Sequence, residues 1–347
     1  MDPRFEGFAS HGSPLALVPY QCLLGHESNY LPMESLGQST PRELLGGHFE
    51  RVGDGPLVHA GMPGLEGTLG ENINGPCLMR VPQWVEHPLG KYYLYFGHHK
   101  GKYIRLAVAD HVEGPYTIHE PGVLPVEKTP GKRKHVASPE IFVDEASHEI
   151  RMYFHAVGRG KKPYHDQAQM TYVAMSRDGI HFTPRKQQLA PFYLRVFKHG
   201  GYVYGFCKDD NAGGMIVRSR DGLAAFERGP AIIPGFRHCA LLAKGQTLLL
   251  FYTRVGDAPE RILLSTVDIS KDWRQWTPSR PAIVLEPAFP WEGADLPPVP
   301  SRHGATGPAN ALRDPAIFVD GETNTVYLFY CVKGEQGIAL AKLVPEG

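Results

Sequence analysis

The chain has 347 residues, and its 36 Lys plus Arg are matched by 36 Asp plus Glu. That balance leaves no basic excess for nucleic acid or an acidic membrane surface, so neither is expected as a partner. No apolar run approaches the ~18 residues of a membrane span. The N-terminal MDPRFEGFAS lacks the basic and apolar regions of a secretory signal; the expectation is a cytoplasmic protein, with a processed secreted form as the open alternative. The five cysteines are odd in number and scattered through hydrophobic stretches, which reads as buried free thiols and not a disulfide framework. High glycine (39) and proline (31) fit many short strands joined by many turns.

Residues 1–70 show no strong period and read as an irregular segment, part of which closes a ring of repeats. Asn72-Ile73-Asn74-Gly75-Pro76 opens the first repeat, over 71–120, with strands at Cys77 to Val81, Lys91 to Phe96 and Tyr103 to Ala109. The second repeat, 135–187, opens with ASPEIFVDEASHEIRMYF, and the fifth, 310–345, with RDPAIFVDGETNTVYLFY. These two stretches say the same thing: a proline at the strand start, a β-favouring Ile-Phe-Val, an Asp turn, and a returning strand. The third (191–230) and fourth (235–278) repeats fall between them. Ser176-Arg177-Asp178-Gly179 and Ser219-Arg220-Asp221-Gly222 are a second echo, at the same place in their units. Asp144 and Asp320 read as turn residues. Residues 279–309 form a long Pro-rich loop, a functional segment or a cover. A period of about 40–60 residues with no helical periodicity predicts an all-β five-bladed β-propeller, four antiparallel strands per blade, little helix, and a single domain over 1–347.

In a propeller the starts of the innermost strands share a face with the loops between second and third strands. The strand starts bring Asn74, Glu140, Arg195, Arg237, His238, Arg313 and Asp314 to that face. The loops add His98, His99, His155, Arg254 and Glu335, with Arg159, Lys208, Asp209, Asp210, Asp257, Glu260 and Lys333 as further candidates. So many ionisable groups converging on one face mark a polar-substrate site. Two carboxyl groups there could serve glycoside hydrolysis, one as acid and one to activate water. Arg313 beside Asp314 suits an ionised base, and the apolar Ile141 and Phe142 beside Glu140 suit a protonated acid.

The fivefold units, the RDPAIFVD and SPEIFVDE openings and the blade-one text YYLYFGHHKGKYIRLAVAD resemble glycoside hydrolase family 43 and the related family 117, over residues 70–345. The resemblance implies sugar cleavage from a chain end in an axial pocket, by an Asp base, a pKa-adjusting Asp and a Glu acid from three successive blades. Asp314, Asn74 and Glu140 occupy those places in order, with Asn74 where the second Asp would stand. A His serves as the acid in family 117, so the acid here is Glu140 or one of His99, His155 and His238. The expected activity is therefore that of an O-glycosyl hydrolase using carboxylate general acid/base chemistry in an axial pocket, with Asp314, Glu140 and His238 as catalytic candidates, exo-acting on a small oligosaccharide or glycan chain end, with inversion implied by the family. Asn74, His98, His99, His155, Arg195, Arg237, Arg254, Arg313 and Glu335 are the substrate-binding candidates. No catalytic metal and no cofactor are required; a structural calcium on the axis is an open alternative. A non-catalytic carbohydrate-binding propeller is the alternative from another class.

Overall fold

The computed structural model describes residues 45–131, 134–158, 169–209, 213–301 and 307–346, together with Glu43 and Gly304. Most of the irregular segment 1–70, its first 42 residues and Cys22 included, lies outside the described residues, as do Arg159 and Asp210. Five antiparallel sheets make up the fold. Blade one is Asn74–Arg80, Tyr92–Gly97, Tyr103–Ala109 and Thr117–Pro125. Blade two is Val136–Asp144, Glu149–Val157, Gln169–Ser176 and the short Thr183–Pro184, with Ala190–Pro191 also on its third strand. Blade three is Arg195–His199, Tyr202–Asp209, Gly213–Ser219 and Glu227–Pro234. Blade four is Phe236–Lys244, Thr247–Arg254, Ile262–Asp268 and Ala282–Leu285. Blade five is Arg313–Val319, Val326–Val332 and Gly337–Pro345. Among the described residues, helical structure within the blades is limited to three-residue 3-10 turns such as Val126–Lys128 and Trp273–Gln275.

Two outer strands come from places the repeat pattern does not mark. Blade five takes its fourth strand from the start of the chain: Gly47–Arg51 runs antiparallel to Gly337–Pro345, with Arg51 opposite Ala341. A strand from near the start of the chain thus completes the fifth blade. The strand is clipped by Arg51, whose Nε donates to Glu292 Oε1 at 2.8 Å; that fully buried carboxylate also accepts from the Tyr330 hydroxyl at 3.0 Å. Blade four takes Ala282–Leu285 from what the sequence presents as the beginning of the long loop. Five residues between Pro281 and Pro287 are too few to show a strand period.

Each blade boundary has its own apolar core. Met79 and Ile104 pack with Met152 between blades one and two, and Phe251 and Leu264 pack with Leu328 and Tyr330 between four and five. Burying such side chains contributes about 1.5–3 kcal/mol each, and no blade can do it alone. Cys77, Cys207, Cys239 and Cys331 are buried and take part in no disulfide.

The Ser-Arg-Asp-Gly echo is a latch between blades. Ser176 Oγ accepts the Gly179 N–H at 2.9 Å, and Asp178 Oδ1 accepts the N–H groups of Ile180 and His181 at 2.8 Å each. Ser219 and Asp221 repeat this with Gly222, Leu223 and Ala224. Both glycines are left-handed, with φ of 75° and 73°. Each turns its carbonyl to the preceding blade, where Tyr95 donates to Gly179 O at 2.8 Å and Tyr153 to Gly222 O at 3.1 Å. Asp320 is a turn residue, accepting from Thr323 Oγ1 at 2.7 Å, and Asp144 holds Arg151 at 2.9 Å.

The innermost strands open with a kink. Gly75, Ser138, Tyr193 and Asp314 stand at corresponding places with φ of 60°, 51°, 57° and 48°. In blades one, two and five a register break follows, between Asn74 and Cys77, Ala137 and Glu140, and Arg313 and Ala316. Blade four has the same break between Phe236 and Cys239. A bulge of this kind re-aims the side chains around it, so residues on its two sides do not follow simple alternation.

Candidate active site at the propeller axis

The break in blade four aims two side chains at blade five. His238 turns Nδ1 onto Asp314 Oδ1, and the two groups are in direct contact. The second Asp314 oxygen accepts the Gly75 N–H at 2.9 Å and lies 3.7 Å from Cys331 Sγ. Asp314 is 2% exposed, buried against the imidazole. A carboxylate facing Nδ1 assigns the proton to that nitrogen and leaves a lone pair on Nε2. Burial, then the charges of Lys208, Arg237 and Arg195, push His238 well below its ordinary pKa, so the ring is neutral at neutral pH. The Tyr193 ring meets it edge-on, 4.1 Å between centroids.

Arg237 leaves the same break toward Glu260, with Nε 2.6 Å from Oε1, and its Nη2 donates to Ser301 O at 2.8 Å. Arg313 completes the bridge, donating to Glu260 Oε2 at 2.9 Å and to Glu335 Oε1 at 3.2 Å. Ser301 Oγ also accepts from Arg313, so the long Pro-rich segment is pinned at the axial face. Burial raises the Glu260 carboxyl, opposed by Arg313 and Arg237.

A second imidazole–carboxylate pair stands beside the first. Glu335, in the turn between the second and third strands of blade five, approaches His99 Nδ1 with Oε2 at 2.7 Å. The same oxygen accepts from Asn72 at 2.7 Å and from Asn74 at 3.0 Å. Burial alone would raise Glu335. The hydrogen bond and charge of His99, with Arg313 and Asn72, outweigh it and hold the carboxyl at about 2. His99 keeps a partly open side chain, 30% exposed.

Glu140 lies with a different set of neighbours. Its Oε2 accepts from Arg195 at 2.8 Å and its Oε1 from the Val196 N–H at 3.2 Å, with Cys77 Sγ 3.6 Å away. Arg195 also donates to Pro76 O, Pro139 O and Cys239 O, tying the innermost strands of four blades together. The pair forms a plug across the axis. The register break separates it from Asp314, which has His238, Gly75 and Cys331 around it instead.

The structure thus gathers Asp314, His238, Asn74, His99, Arg237, Arg313 and Glu335 into one connected group and joins Glu140 to Arg195. His155 is 2% exposed, behind Tyr193 at 4.8 Å and His135 at 5.5 Å between ring centroids. His98 lies in a separate groove with Thr68, Tyr103 and Arg105. Arg254 pairs with Asp257 at 3.3 Å. Three members escape the sequence-based site assignment: Tyr193, Asn72 and Ser301. For Tyr193 a signal existed, since it stands where Gly75, Ser138 and Asp314 stand. Ser301 has none, because a loop residue acquires its place only through the loop's path. Among the described residues, no group of three or more His, Cys, Asp or Glu side chains is arranged to hold a metal ion.

No family model matches the chain. An uncharacterized protein of Acanthamoeba polyphaga mimivirus is 35% identical over 307 residues, covering 78% of this chain and 83% of that protein. A family 43 β-xylosidase/α-arabinofuranosidase from a compost microbial metagenome, solved with xylotriose, superposes with a TM-score of 0.56 at 14% identity, over 85% of this chain and 95% of that one. An α-L-arabinofuranosidase from Lactobacillus brevis gives 0.54 at 14%, over 78% and 90%. An exo-β-1,3-galactanase from Phanerochaete chrysosporium, with β-1,3-galactotriose, gives 0.54 at 10%, over 86% and 64%. At these identities the solved structures share the fold. The chain belongs to one family with the mimiviral protein, built on the five-bladed propeller that family 43 glycoside hydrolases also use.

Proposed function

We propose that the chain is a glycoside hydrolase, exo-acting on a small oligosaccharide or glycan chain end bound at the axial pocket. The observation that carries this reading is the His238–Asp314 contact, which engages Nδ1 and leaves Nε2 to act as a base. Asp314 accepts Nδ1–H and fixes the ring. Nε2 takes a proton from water as the water oxygen bonds to the anomeric carbon. The glycosidic C–O bond breaks, and the leaving oxygen receives a proton from His99, which Glu335 orients. Inversion follows from a single displacement. In this scheme Glu140 stays an acceptor in the axial plug, because both of its oxygens are engaged. The scheme calls for no cofactor.

A carbohydrate-binding propeller without catalysis is the second reading. It is favoured by one observation: Asp314, Glu140, Glu260 and Glu335 each already accept from a cation, an imidazole or the main chain. A screen of aryl glycosides and plant and algal oligosaccharides separates the two. The hydrolase reading expects reducing ends that disappear in His238→Gln. Intact recovery of a well-bound oligosaccharide at every enzyme concentration would establish the binding module instead.

A further inference from the structure

Every buried arginine of the axial group has a carboxylate. Arg313 holds Glu260 and Glu335, Arg237 holds Glu260, and Arg195 holds Glu140. Lys208 does not. It is the penultimate residue of the second strand of blade three, tied there by its N–H to Phe192 O at 2.9 Å, and it is 3% exposed. Among the described residues no carboxylate lies in salt-bridge reach of its ammonium. Its ammonium stands over the face of Tyr193, with Nζ 5.8 Å from the ring centroid, and that ring packs on His238. Around it stand Arg237 and Arg313, both repelling, and Glu260, whose two oxygens those arginines already occupy. Burial and these cations push the amine down to about 7, with Glu260 opposing.

A buried amine among cations is costly unless an anion completes it. Among the described residues the surrounding carboxylates are spent on the arginines, which leaves room for an anion from outside. Resting on the sugar-pocket reading above, we propose that Lys208 anchors an anionic group of the bound sugar, a uronic-acid carboxylate or a sulfate ester, next to His238. Tyr193 supplies the ring face between anchor and base, a surface suited to an apolar sugar face. The amine takes up a proton as the anion binds, because the pair favours the charged form.

The test is calorimetric titration of the full chain at pH 6.5 with glucuronic and galacturonic acids, the matching aldoses, and their 6-sulfates. At least one anionic sugar should bind roughly 10- to 100-fold tighter than its neutral counterpart, the range of a charge-assisted hydrogen bond. The acid and sulfate arms identify which anion is read. Lys208→Met should erase that preference, and Lys208→Arg should keep part of it, with thermal melts showing both variants folded. Titrating the wild type in buffers of different ionisation heat should show uptake of a proton at pH 7.5–8.5 that Lys208→Met lacks. Equal affinity for charged and neutral sugars, or a preference that survives Lys208→Met, overturns the proposal. Hydrolysis of neutral glycosides alongside that result would leave the hydrolase reading standing. A Lys208-dependent preference with no hydrolysis would sink only the hydrolase reading.

Discussion

His238 and Asp314 come from different blades and meet across the boundary between blades four and five, imidazole Nδ1 to carboxylate Oδ1. Each is placed by a register break in its own innermost strand. The carboxylate is buried against the imidazole, so the pair should act as one unit. Asp314→Asn is expected to keep the fold and sugar binding while lowering turnover roughly 10²–10⁴-fold, the usual contribution of a positioned base. His238→Gln should cost about as much, and the double variant little more, because members of one unit are not additive. Additive losses in steady-state kinetics would separate the two residues.

Glu140 and His99 are told apart by leaving groups. A lost proton donor is felt least with a good leaving group, which needs little protonation. His99→Gln should therefore retain more activity on nitrophenyl glycosides than on alkyl glycosides or oligosaccharides. Glu140→Gln should show no such dependence. The reverse pattern would return the acid role to Glu140.

Arg195 should matter for stability beyond its side-chain volume. Its removal leaves Glu140 without its cation and the carbonyls of Pro76, Pro139 and Cys239 without a donor. Breaking a buried pair from one side costs about 3–5 kcal/mol. Arg195→Met should show that loss in denaturant melts, and Glu140→Gln, which keeps an acceptor oxygen, a smaller one.

Lys208 makes a pH signature. Its amine is pushed down from 10.5 to about 7 in the folded chain. Between those values the unfolded chain binds one more proton, so this residue's contribution to stability rises with pH, by up to about 1.4 kcal/mol per unit. His238 and Glu260 face the same cluster and are shared by wild type and variant. The difference in stability between wild type and Lys208→Met should thus favour the variant most near pH 7 and shrink toward pH 10. A difference flat in pH would mean the amine is not perturbed.

The blade latch predicts two strained substitutions. A Cβ on Gly179 would come 2.7 Å from the Tyr95 hydroxyl, and one on Gly222 2.4 Å from that of Tyr153. Both positions are also left-handed. Gly179→Ala and Gly222→Ala should each lose about 1–3 kcal/mol, read as a lower melting temperature with unchanged strand content. A neutral result would mean the latch gives way freely.

What the sequence determined by itself was the ring. Strand, turn and latch signals are local, written within a few residues, and they recur, so ASPEIFVDE and RDPAIFVDG reveal their blades without reference to any partner. Placement of Asn74, Arg237, Arg313 and Glu335 on one face followed from the same antiparallel logic. The tertiary structure decided the rest. A left-handed residue and a register break open the innermost strands, and across such a break a side chain's direction no longer follows from its position in the sequence. That is why Asp314 found His238 while Glu140 found Arg195. The outer strands Gly47–Arg51 and Ala282–Leu285 were likewise settled by which sheet edge stood open. Lys208 became notable only once the arginines around it had taken the carboxylates, a matter of distance between blades that no stretch of chain records.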